Sequence, residues 1–64
     1  MSAYDNLTAE QQALFNRVHE DAIWSNEPVM TSIPRLIREA NVPLKDKAAV
    51  AEAFAPGLGA EFLR

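Results

Sequence analysis

His19, Glu20 and Asp21 are the residues whose chemistry is most reactive in this chain: an imidazole followed by two carboxylates, side chains of the types that serve as acid or base. Their spacing defeats the combination. Consecutive positions on an α-helix are turned by about 100° from one another, so three in a row fan over different faces and do not converge on one reacting atom. His19 is the only histidine and there is no cysteine, which leaves neither the usual zinc ligand set nor a nucleophile–base pair. Gly57 and Gly59 bracket Leu58, but no strand pattern precedes them and no lysine follows, as a phosphate-cradling loop requires. The expectation is a chain that is not an enzyme and has no catalytic residue, metal site or cofactor.

What remains is the chemistry of contact. On a helix Trp24 neighbours Arg17, Glu20 and Asp21, off the main apolar stripe. Two readings are open: the chain after residue 25 folds over the indole with Pro28, Val29 or Met30, or Trp24 is an exposed anchor for another protein, the role in which tryptophan is enriched at interfaces. Met30 adds an adaptable apolar contact nearby. Leu58, Phe62 and Leu63 pose the same question at the C-terminal end, closing the bundle or docking on another chain. The candidate protein-binding set is therefore Glu20, Asp21, Trp24, Met30, Phe62 and Leu63, with the acidic helix facing a basic site on the partner. The function expected is a small non-enzymatic protein-binding module. It would act as an inhibitor, adaptor or accessory subunit, by analogy with phage-encoded inhibitors, and self-association is a further option.

The elements that must position these residues are helical: the fold class expected is all-α, a small three-helix bundle with a short C-terminal helical turn, in one domain over 1–64. Thr8 and Gln11 have the spacing of a capping box, with Glu10 in the first turn at the positive end of the helix dipole. Leu14, Phe15, Val18 and Ala22 then make one apolar face of a helix over about 9–25, widened by Ile23. Tyr4 and Leu7 are the only large apolar groups of a preceding arm and are candidates to fold back on it. Pro28 breaks the chain. Thr31 or Ser32 is the expected cap of a second helix over about 33–40, with Pro34 in its first turn and Ile33, Leu36, Ile37 and Ala40 on its inner face. Asn41, Val42 and Pro43 stop it, Asn41 through a left-handed cap. A third helix over about 44–55 is rich in alanine, with Leu44, Val50 and Phe54 as its large contacts. Pro56 and Gly57 end it, Gly59 is a hinge, and one turn is expected over 60–63.

Arg38, Glu39, Ala40, Asn41 and Val42, followed by Pro43 and a helix, resemble the turn of helix-turn-helix DNA-binding domains, where a similar Leu-x-Arg-Glu-Ala-Gly-Val run leads into the recognition helix. The resemblance covers about 20 residues. Asn41 stands where that family has glycine, and Lys47 where an apolar residue packs the second helix on the first. The resemblance implies an alternative function over residues 33–55, DNA binding, with Arg35, Arg38, Lys45 and Lys47 touching phosphate. The candidate reading helix carries Lys45 and Lys47 with Asp46 between them and Glu52 behind.

The chain's 64 residues have a formal net charge of −3. Residues 1–27 set five carboxylates against Arg17, whereas residues 28–64 set five cations against four carboxylates. An acidic total disfavours non-specific attraction to nucleic acid or anionic lipid. No apolar stretch approaches the roughly 20 residues that span a bilayer. The polar start at Met1 to Asn6 lacks the basic and apolar regions of a secretory signal, and cysteine is absent, so the location expected is cytoplasmic.

Overall fold

The computed structural model describes residues 3–63 and contains four α-helices among them, with no strand. Helix α1 spans Ala9–Trp24 and begins at the capping box: the Thr8 hydroxyl accepts from the Gln11 amide at 3.2 Å, and the Gln11 side chain accepts from the Thr8 amide at 3.0 Å. The preceding arm is pinned from Tyr4 onward. Tyr4–Asn6 form one 3-10 turn. The Tyr4 ring meets Phe15 edge-on at 5.1 Å, its carbonyl accepts from Gln12 and its hydroxyl from Asn16. Helix α1 buries Val18 and Ala22 and half-buries Leu14 and Phe15, as the apolar spacing requires. Ile23 does not widen the buried face. It lies about 100° past Ala22 on the wheel and is half exposed.

Helix α2 spans Val29–Glu39 and starts four residues earlier than the sequence suggests. Pro28 is its cap, not a break followed by a loop. With φ −55° and ψ 139° its carbonyl accepts from the amides of both Thr31 and Ser32. Pro34 consequently falls inside the helix, and neither Thr31 nor Ser32 caps it. Ser32 is instead the one fully buried polar side chain among the described residues. Its hydroxyl lies 3.2 Å from the carbonyls of both Pro28 and Val29. The helix ends at Ala40 in an extended conformation (φ −66°, ψ 142°), and Asn41 is not left-handed, since no described non-glycine residue has positive φ. The Lys47 ammonium caps the open end by donating to the Arg38 carbonyl at 2.7 Å.

Helix α3 spans Leu44–Phe54 and α4 spans Leu58–Phe62, so the C-terminal turn begins two residues before the expected 60–63. The reversal rests on Gly57, whose φ of 91° is the left-handed region that glycine adopts without a Cβ penalty. Gly59 is not a hinge. It is buried within α4, where a Cβ would stand 2.6 Å from the Ala48 carbonyl oxygen of α3. The Glu52 carboxylate accepts from the amides of Gly57 at 3.0 Å and Gly59 at 3.2 Å, which fastens the start of α4 to α3.

Val18 and Ala22 of α1, Ile33 and Ile37 of α2, and Val50 and Ala51 of α3 form the shared core. Full burial of a side chain such as Ile37 or Val50 contributes about 1.5–3 kcal/mol. Leu14, Phe15, Leu36, Phe54, Leu58 and Phe62 close around it, with Phe15 and Phe54 stacked at 4.0 Å. Leu44 is not part of this closure, being 52% exposed. The radius of gyration, 10.7 Å, is what a compact chain of this length gives.

Candidate functional site

The corner between α1 and α2 holds four of the six large apolar side chains left exposed among the described residues. Trp24 is 77% exposed, Met30 60%, Ile23 54% and Val29 43%. Trp24 stands about 200° around α1 from Ala22, so the core-facing stripe cannot include it. The chain beyond residue 25 does not fold over it. The indole Nε1 donates to Glu20 Oε1 at 3.1 Å, one turn back, which orients the ring along the outer face of α1.

The backbone beneath these side chains is held from several directions. Ser25 ends α1 with its hydroxyl 3.0 Å from the Ala22 carbonyl, and it accepts from the Glu27 amide at 3.4 Å. The Ser25 and Ser32 hydroxyls are 3.3 Å apart, tying the end of α1 to the first turn of α2. Arg35 spans Glu27 at 2.6 Å and Glu39 at 3.4 Å. A backbone fixed in this way loses little freedom when the side chains it carries are covered, which favours binding.

A second surface lies where α2, α3 and α4 meet. It is a groove of about 480 Å³ floored by Pro34, Leu44, Leu58 and Phe62. Arg38, Lys47 and Glu61 stand around it. The Arg38 guanidinium sits 5.9 Å from the Phe62 ring centroid, within cation–π range. None of the four corner residues lines this groove.

The structure therefore gathers some of the sequence-derived residues and separates others. Glu20, Trp24 and Met30 belong to the corner. Asp21 is exposed but turns to a cleft between α1 and α2 shared with Arg17, Leu36 and Glu39. Phe62 packs against the core and faces the groove, and Leu63 is left 63% exposed beyond α4. Ile23 and Val29 were missing from the sequence-derived set. The apolar spacing puts Ile23 with the buried stripe, and Pro28 reads as placing Val29 in a loop, where the structure has helix. Of the four cations implied by the helix-turn-helix resemblance, Arg35 is engaged by two carboxylates, Lys47 by a carbonyl and Arg38 by an aromatic face, while Lys45 is exposed.

Among the described residues no group of three or more His, Cys, Asp or Glu side chains is placed to hold a metal ion. No helix formed by them is long and apolar enough to cross a membrane. Comparison with protein-family models, with curated proteins and with solved structures gives no match.

Proposed function

We propose that this chain is a small non-enzymatic protein-binding module, an inhibitor, adaptor or accessory subunit of the kind phages encode, that grips a larger protein through the α1–α2 corner. The observation that carries the reading is Trp24. It is a large aromatic side chain, 77% exposed and oriented by its own helix, and the exposed Ile23, Val29 and Met30 stand on the same α1–α2 corner, which hydrogen bonds hold in place. Aromatic anchors surrounded by smaller apolar contacts are where binding energy concentrates. Glu20 lies against the indole and favours a partner with a basic rim around an apolar pocket. A cytoplasmic location belongs to the same reading, because a cysteine-free chain suits a reducing compartment.

The test is affinity capture from the native host, with wild-type chain and Trp24→Ala run side by side and circular dichroism confirming equal helicity. The expected result is one protein retained by wild type and lost by the variant. Affinity for the purified partner should fall at least about 30-fold, the effect of removing an anchor worth 2 kcal/mol or more. Equal retention by both chains would refute the corner as the binding surface.

A further inference from the structure

The three longer helices and α4 are held in place by different means. Each of α1, α2 and α3 contributes two buried apolar residues to the shared core. Helix α4 contributes none. Gly59 is its only buried residue, and Leu58 and Phe62 lie half-buried against the core from outside. Five residues that include a glycine are far below the roughly 12–15 that an isolated helix needs in water, so α4 is helical only while it is seated on α3. The seat has two parts. Gly59 stands against the Ala48 carbonyl and the Glu52 Cβ, where a side chain has no room. The Glu52 carboxylate, on the exposed face of α3, accepts from the Gly57 amide through both oxygens and from the Gly59 amide through one. The connection between the two helices is built to turn. Ala55 is extended at φ −151°, Pro56 follows, and Gly57 holds a left-handed φ that glycine leaves as readily as it enters. A Cβ at Gly57 would meet nothing within 4 Å, so no neighbour blocks rotation there.

We propose that α4 is a hinged flap: it opens about Gly57 as a unit while α1, α2 and α3 stay folded, and Glu52 is the latch that holds it shut. The groove where α2, α3 and α4 meet then depends on the flap. Three of its seven lining residues, Leu58, Glu61 and Phe62, belong to α4, and the Arg38 guanidinium rests over the Phe62 ring. With the flap open the groove loses its third wall and Arg38 loses its aromatic contact. The groove is therefore conditional, present in the shut state and absent in the open one. Helix α4 supplies no residue of the α1–α2 corner, and the function proposed above does not depend on the flap.

Native-state hydrogen exchange on the full chain tests this. After correction for intrinsic rates, the Gly59 and Phe62 amides should exchange through one common opening, at least about 10-fold more often than the amides of the fully buried Ile37 and Val50. That opening should respond less to added denaturant, because it exposes little surface. Glu52→Ala should speed exchange at Phe62, which has no hydrogen bond to Glu52, by about 5–30-fold. Combining Glu52→Ala with Gly59→Ala attacks both parts of the seat. Leu58 and Phe62 should then show random-coil chemical shifts while Ile37 and Val50 remain protected. The proposal is overturned if Gly59 and Phe62 share the protection and denaturant response of Ile37 and Val50. It is overturned equally if Phe62 exchanges freely while Gly59 stays protected, which is fraying from the C-terminus. A Phe62 rate unmoved by Glu52→Ala, or a double variant in which Ile37 and Val50 lose protection together with α4, would also overturn it.

Discussion

Replacing Gly59 by alanine sets two effects of known sign against each other. Within a helix the change favours folding by about 1 kcal/mol, because alanine loses less backbone freedom. The position opposes it. The new Cβ would stand 2.6 Å from the Ala48 carbonyl oxygen and 3.0 Å from the Glu52 Cβ, and neither neighbour is the free end of a flexible chain. Relief to an ordinary contact of 3.4 Å moves α4 away from α3 by about 0.8 Å. That movement stretches the Gly59–Glu52 hydrogen bond, now 3.2 Å, and loosens Leu58 and Phe62 over the core. Overpacking costs about 1–3 kcal/mol and the hydrogen bond about 1, so the variant should be destabilised by about 1–3 kcal/mol despite its better helix former. Thermal unfolding followed by circular dichroism should show a midpoint lower by at least about 4 °C. Gly57→Asn is the control: a Cβ there meets nothing within 4 Å, and asparagine tolerates the left-handed conformation, so it should cost less. A Gly59→Ala chain as stable as wild type or more so would refute the close contact between α3 and α4.

Glu52→Ala removes the acceptor for the Gly57 and Gly59 amides and should cost about 1–2 kcal/mol by chemical denaturation, with Glu52→Gln recovering part of it through its amide oxygen. Thr8→Ala opens the capping box and should cost about 1 kcal/mol, while Thr8→Ser keeps the hydroxyl and costs less, both read from thermal midpoints. Arg35→Ala breaks two exposed ion pairs and should change stability by less than about 1 kcal/mol. In a gel-shift titration at low salt, duplex DNA should not be retarded by micromolar chain, since Arg35, Arg38 and Lys47 already have partners within the fold.

Much of the fold was legible because its signals are local. The Thr8–Gln11 box and the Leu14, Phe15, Val18 and Ala22 spacing specify where α1 starts and which way it faces, and the structure follows both. The start of α2 was not legible. A proline is equally at home ending one element and capping the next, and what decides is whether its carbonyl finds the amides of Thr31 and Ser32. Ser32 reads as a surface cap by type and is buried because that same first turn supplies its acceptors. The role of Glu52 has no local signature, since its partners lie beyond a chain reversal at Gly57 and Gly59. For the site, the angular position of Trp24 separated it from the core stripe, but sequence alone left open whether the following segment covers it. In the structure that segment turns away into α2, and the Ser25 and Ser32 hydroxyls, 3.3 Å apart, tie the two helices at the turn.

Trp24 is the only tryptophan, so its fluorescence reports the corner and nothing else. The most direct measurement is collisional quenching of that emission in the chain at high dilution, where copies are apart. The exposed corner predicts red-shifted emission that a neutral quencher reaches almost as freely as it reaches the denatured chain. Blue-shifted emission resistant to the quencher at that dilution would mean that the indole is already covered within its own fold, and the surface on which the functional reading stands would not exist.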